Sequence, residues 1–212
     1  MTRPDIVFAV GYLARFCEKP SRRTWQHALR VLRYLKGTSD YSLVLGGGDP
    51  ASGETVLDAM TDADHANDMD DSKSISGYVV QLDGATVSWS SKKQTVVALS
   101  STEAEYIALT HCGRQAAFIS SILEELGVIF PRPVPLFSDS TGAIGLAQGK
   151  KPNHSKAKHI RVVHHWIRLA VQDGTFVVKH HPGADLPADT LTKPLAADKF
   201  KRFREDIGVL RV

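Results

Sequence analysis

Apolar residues recur at helical spacing in two early stretches. Residues 4 to 16 and 21 to 37 each read as an amphipathic helix, the second placing Trp25, Ala28, Val31, Leu32 and Leu35 on one stripe before Gly37 ends it. The run Gly46-Gly47-Gly48-Asp49-Pro50, with Ser52 and Gly53, then interrupts all periodicity. It predicts a linker at 46–53 between a helical segment, 1–45, and a main domain, 54–212. Beyond it the pattern changes to a period of two. Strands are predicted at about 55–62, 75–82 and 85–91, the last two joined by an Asp83-Gly84 turn that signals an antiparallel hairpin. A long helix follows at about 101–126, then an apolar strand at 134–138 and a short helix at 141–148. A helix at 157–172 closed by Gly174, a strand at 176–179 and a helical region from about 186 complete the chain. Three strands, a helix, then strands alternating with helices predict an α/β fold: a mixed sheet with helices on its faces.

Composition refines this picture at a few points. With 42% hydrophobic and 23% charged residues over 212 positions, the chain reads as globular, either one large domain or one domain of about 150 residues with an appendage. No run approaches the roughly 18 apolar residues of a membrane span, and Met1 to Ile6 carry no secretory leader, so no membrane partner is expected. Cys17 and Cys112 lie far apart and suggest neither a disulfide framework nor a zinc site, which fits an intracellular compartment. The net charge of +3 is mild, but Lys92-Lys93, Lys150-Lys151, Lys156 to Arg161 and Lys199 to Arg204 are locally basic and favour a polyanionic partner.

The chemistry rests on carboxylates at the ends of elements. Strand alternation puts Asp58, Met60, Asp62 and Asp64 on one face, making Asp62 and Asp64 both candidates at the end of the first strand. Asp139 closes the strand at 134–138 just before a helix, where the competing role is an N-cap. In the long helix Ser100-Ser101-Thr102-Glu103 has capping-box spacing, which gives Glu103 a structural task. Glu105 instead shares the apolar stripe of Ala108, Leu109, Cys112, Ala116, Ile119 and Leu123. A carboxylate there is costly unless a cation or hydrogen-bond donors meet it. Asp189 falls near the start of the last helical region, where a first-turn role competes. Four acids without histidine–cysteine spacing suit hard cations, magnesium or manganese, and two such ions about 4 Å apart serve phosphodiester hydrolysis. No small-molecule cofactor is expected.

The strings Thr61-Asp62-Ala63-Asp64, Ser74-Ile75-Ser76-Gly77-Tyr78-Val79, Val87-Ser88-Trp89-Ser90-Ser91-Lys92-Lys93-Gln94, Ala98-Leu99-Ser100-Ser101-Thr102-Glu103-Ala104-Glu105-Tyr106, Lys158-His159-Ile160 and Ala188-Asp189-Thr190-Leu191-Thr192-Lys193-Pro194-Leu195 occur in this order. Together they resemble the ribonuclease H of copia-type LTR retrotransposons over about residues 55–195. The resemblance implies a ribonuclease H-like fold with a central mixed sheet of five strands, acting on the RNA strand of RNA:DNA hybrids during reverse transcription. It implies the catalytic and metal-binding set Asp62, Glu105, Asp139 and Asp189, with two Mg2+ ions that Mn2+ can replace. Residues 1 to 37 look like the tail of the reverse transcriptase that precedes such a domain, so the remainder of that polyprotein is an expected partner.

A hybrid is recognised by backbone, groove shape and 2′-hydroxyls. Ser74, Ser76, Ser90, Lys92 and Lys93 on strand edges near Asp62, with Lys158 and His159 on a basic stretch, are the candidate nucleic-acid contacts; the competing role is a solvated face. Trp89 lies on the opposite strand face from Ser88 and Ser90 and reads as core. His181 sits where related ribonucleases H carry a loop histidine that aids proton transfer or product release. The rival from another class is a non-catalytic hybrid-binding or structural module of a Pol polyprotein.

Overall fold

The computed structural model describes residues 2–46, 55–66, 71–149 and 166–212. Its centre is a five-stranded sheet built from β2 (Leu57–Asp64), β3 (Ile75–Leu82), β4 (Ala85–Lys93), β5 (Val134–Ser138) and β6 (Phe176–His180), in the order β4-β3-β2-β5-β6. β2, β3 and β4 form an antiparallel meander, with Asp83 and Gly84 at positive φ in the turn between β3 and β4. β5 is parallel to β2, and β6 is parallel to β5. Parallel neighbours need a crossover, and α4 (Thr141–Ala147) and α5 (Trp166–Gln172) lie between β5 and β6 in the chain.

Side-chain alternation gives each sheet face its own core. Leu57 and Ala59 of β2, Val80 of β3, Leu136 of β5 and Val178 of β6 pack with Tyr106, Leu109, Cys112 and Ala116 of α3 (Ser101–Glu125), and with α4 and α5. The α3 stripe read from the sequence is therefore the buried one. On the opposite face Val79 packs with Leu191, Ile207 and Val209, flanked by Val7, Tyr41, Leu43 and Trp89. Trp89 is thus a packing residue. Among the described residues no helix is long and apolar enough to cross a membrane.

That second face carries what periodicity did not anticipate. β1 (Tyr41–Leu43) pairs antiparallel with β7 (Val209–Arg211), joining two segments far apart in the chain. Three-residue strands are too short to show a period, so their signal is non-local. The helical region expected from about 186 is also divided. Two 3-10 turns, Gly183–Asp185 and Pro187–Leu191, precede α6 (Ala197–Asp206). Pro187 and Pro194 explain the break, since proline removes a donor and disfavours helix in the residue before it.

At the N-terminus a 3-10 turn at Pro4–Ile6 leads into α1 (Val7–Ala14), and α2 (Arg22–Gly37) is capped by Ser21. Arg3 pairs with Asp5 at 2.8 Å, Tyr34 donates to Asp5 at 2.6 Å, and the Tyr34 ring meets the edge of Phe200 of α6. Trp25 and Leu32, on the apolar stripe of α2, are 61% and 59% exposed. The expected linker lies outside the described residues beyond Gly46, as does the 157–165 part of the expected helix.

Candidate metal centre

Two strand ends and one helix bring three acids together. The β2–β5 register aligns Ala59 with Leu136 and Met60 with Phe137, and two further residues along each strand are Asp62 and Asp139. Glu105 arrives in the second turn of α3, which packs across β2 and β3. One carboxylate oxygen each from Asp62, Glu105 and Asp139 lies within 4.8 Å of the others. Asp139 does not cap α4: Ser140 does, accepting from the Ala143 amide at 3.2 Å. Glu103 stays at the start of α3, where it accepts from the Leu99 amide at 2.8 Å while its own amide donates to Ser100 Oγ. Asp64, at the end of β2, is not in the three-acid group.

Burial makes this grouping electrostatically expensive. Asp62 is 1% and Glu105 8% exposed, and Glu105 Oε2 has no hydrogen-bond partner. Burial, followed by the charges of Asp62 and Asp139, pushes the Glu105 carboxyl up to about 9. Burial also lifts Asp62 to about 6, opposed by Lys193 and by the Thr192 hydroxyl that donates to Asp62 Oδ2. An orphaned, buried oxygen beside two like charges is what a divalent cation would satisfy, and the donors are all hard oxygens. The residues therefore fit magnesium or manganese.

Asp189 lies in the 3-10 turn Pro187–Leu191, 2% exposed, beside this group and outside the 4.8 Å set. Two ammonium groups hold it: Lys193 Nζ at 2.9 Å and Lys199 Nζ at 2.7 Å. Lys193 also reaches Asp62 Oδ2 at 3.6 Å, so one cation bridges two of the expected ligands. Gly183 completes the surround, because a Cβ there would stand 2.5 Å from Asp139 Oδ2. Thr192, Lys193, Lys199 and Gly183 escaped the sequence reading. A signal existed for two of them, since Thr192 and Lys193 stand three and four places after Asp189, within one turn of chain.

The expected nucleic-acid contacts separate. Ser74 is wholly buried and its hydroxyl accepts from the Ala66 amide at 3.1 Å, so it offers nothing to a ligand at the surface. Ser76, Ser90 and Lys92 line a cleft between the sheet and α3. Lys93 pairs with Asp71 at 2.8 Å. His181 follows β6; its amide donates to Ser138 O at 2.9 Å, which sets its ring beside Phe137 near the strand end carrying Asp139. Lys158 and His159 lie outside the described residues.

No protein-family model matches the chain. The retrovirus-related Pol polyprotein from transposon TNT 1-94 of Nicotiana tabacum is 41% identical over 208 residues, 98% of this chain and 15% of that protein. The Pol polyprotein from transposon RE1 of Arabidopsis thaliana is 43% identical over 211 residues, 100% of this chain and 14% of that protein. The chain thus spans about a seventh of the length of these curated relatives. Among solved structures, LC11-RNase H1 isolated from compost by a metagenomic approach superposes with a TM-score of 0.49 at 21% identity, covering 65% of this chain and 92% of that one. The end-to-end likeness to the plant polyproteins places the chain in the family of retrovirus-related Pol polyproteins of copia-type transposons, as a segment built on a five-stranded mixed sheet with flanking helices.

Proposed function

We propose that the chain is a hybrid-specific endoribonuclease that hydrolyses the RNA strand of RNA:DNA hybrids, in the context of the remainder of its Pol polyprotein. The observation that carries this reading is the convergence of Asp62, Glu105 and Asp139 around a buried oxygen with no partner. Asp62, Glu105 and Asp139 would hold one magnesium ion, and Asp62 with Asp189 a second, where Lys193 supplies the compensating charge here. Bound there, magnesium supplies an acidified water and stabilises charge on the phosphate and the leaving oxygen, and manganese serves the same ligands.

The chain's own groups do the rest. Glu105 keeps a proton while no cation faces it and releases it to become a ligand. Thr192 fixes Asp62 by donating to Oδ2. Lys199 holds Asp189 through an ion pair at 2.7 Å. Gly183 leaves Asp139 room that any side chain would take. His181, at the edge of this group, is assigned the transfer of a proton to the leaving oxygen. The test is cleavage of a labelled RNA:DNA hybrid with magnesium, beside single-stranded RNA and double-stranded DNA. Cutting confined to the hybrid's RNA strand and lost in Asp62→Asn supports the reading; an intact hybrid under these conditions, or equal cutting of all three, refutes it.

A further inference from the structure

Helix α3 carries a second apolar stripe besides the one it buries. Leu109, Cys112, Ala116 and Leu123 face the core. Roughly 110° round the helix at ~3.6 residues per turn, Phe118, Ile122 and the C-cap residue Leu126 follow one another at i, i+4 and i+8. They are 60%, 41% and 73% exposed, and Ile129, just past the helix, is 90% exposed. The outer flank of a surface helix is ordinarily polar. These four side chains together present on the order of 400–500 Å² of apolar surface, the size of patches that mark contact sites. Charge brackets the stripe. Arg114 stands one turn before Phe118 and Glu125 one turn after Ser121, both exposed on the same flank. Glu124, one place to the side, is already paired with Arg132.

The order cation, apolar, anion identifies what covers this flank, because a stripe of that kind is complementary to its own reverse. Two copies packed antiparallel, with a two-fold axis level with Ser120, set Phe118 of each against Ile122 of the other. Arg114 and Glu125 lie nearly equally far on either side of that level, six and five residues away, so each arginine then meets the other copy's glutamate. Parallel packing would set arginine against arginine and glutamate against glutamate, and is rejected by the same charges. Two facing stripes remove about 1,000 Å² from water, the lower end for a specific interface, so the pairing is weak, with a Kd on the order of 10–100 µM. Glu105 lies about 22 Å from the axis at ~1.5 Å per residue, which keeps both acidic groups outside the seam.

We propose that the outer flank of α3 is a homodimer interface, in which Phe118, Ile122 and Leu126 of two antiparallel helices interlock and Arg114 of each copy pairs with Glu125 of the other. The proposal is independent of any cleavage activity. Sedimentation of the full 212-residue chain in EDTA, at concentrations from about 5 to 500 µM, should show a reversible monomer–dimer equilibrium. Phe118→Ser is expected to weaken it at least about tenfold. Arg114→Glu and Glu125→Arg should each weaken it by about tenfold, since like charges then meet twice in every dimer, and the two changes combined in one chain should return the affinity to within about twofold of wild type. All three positions are exposed, and circular dichroism checks that each variant is folded. A chain that stays monomeric throughout the range overturns the proposal and leaves the stripe to another part of the polyprotein. A dimer that ignores both single charge reversals, or that the combined reversal fails to restore, overturns it equally, for its contacts then lie elsewhere.

Discussion

Glu105→Gln separates the electrostatics of the acidic group from its chemistry. Without divalent ions the Glu105 carboxyl titrates at about 9 in the folded chain, against an ordinary value of 4.5. Between these values the unfolded chain has released a proton that the folded chain keeps, so rising pH favours unfolding. The stabilisation is fully present below 4.5 and is lost as pH passes through 9. One such group contributes a slope of about 1.4 kcal/mol per pH unit, or about 2 kcal/mol from pH 6.5 to 8. Glutamine keeps the shape and cannot ionise. Asp58 and Asp62 titrate at about 6 and act mainly below that window, and the nine histidines are common to both proteins. Urea unfolding in EDTA at half-unit pH steps should therefore show wild type losing about 2 kcal/mol more than Glu105→Gln, roughly 1 M in midpoint. Magnesium, which needs the ionised carboxylate, should bind wild type up to about tenfold more tightly per pH unit over the same range. Parallel pH curves for the two proteins would refute the placement of a protonated Glu105 against Asp62 and Asp139.

Other perturbations follow from single contacts. Lys193→Gln removes the ammonium between Asp62 and Asp189, and should lower metal-free stability by roughly 1–2 kcal/mol after allowance for its partial exposure, with magnesium restoring part of the loss in a thermal melt. Gly183→Ala should tip the Asp139 carboxylate aside, cutting the magnesium-induced rise in Tm and the cleavage rate while stability in EDTA changes by less than about 1 kcal/mol. Burial alone raises Asp58 from 3.8 to about 6, so its contribution is present below 3.8 and lost as pH rises through 6; Asp58→Asn should stabilise the fold by up to about 3 kcal/mol above pH 6 and by nothing near pH 3, read by urea unfolding. A fragment beginning at residue 38 keeps β1, whereas one beginning at 55 loses Tyr41 and Leu43 from the second core and should unfold with about 2–4 kcal/mol less stability.

The sheet and its helices were legible because each has a local period. The alternation in β2, the Asp83-Gly84 turn and the α3 stripe all depend on neighbours within one element. Glu105 was separable from Glu103 for the same reason: one sits on the stripe and the other on the cap. Asp139 was ambiguous locally, and only the observation that Ser140 caps α4 resolves it. The environment of Asp189 was legible only in Thr192 and Lys193, within one turn of it along the chain. Lys199 reaches it from α6 across a proline break, and Gly183 meets Asp139 from another loop, contacts between elements that no window along the chain contains. Ser74 and Ser76 show the complementary failure. They share a strand face and a residue type, yet one hydroxyl is spent on the Ala66 amide while the other floors a cleft.

The β1–β7 ladder has a mechanical consequence. Tyr41 is paired with Arg211 and the Val212 amide donates to Asp40 O, so the chain enters one strand and leaves the other at the same end of the ribbon. A load applied across Asp40 and Val212 therefore opens the ribbon one rung at a time, like a zipper, and never shears its rungs together. Peeling would remove Val209 from Val79 and Leu191 while the β2–β5 rungs beneath the acidic group carried none of the tension. Because forced opening follows the unfolding rate and not the equilibrium stability, a tug on these flanks would strip this face at low force and leave the acid-bearing strands in register.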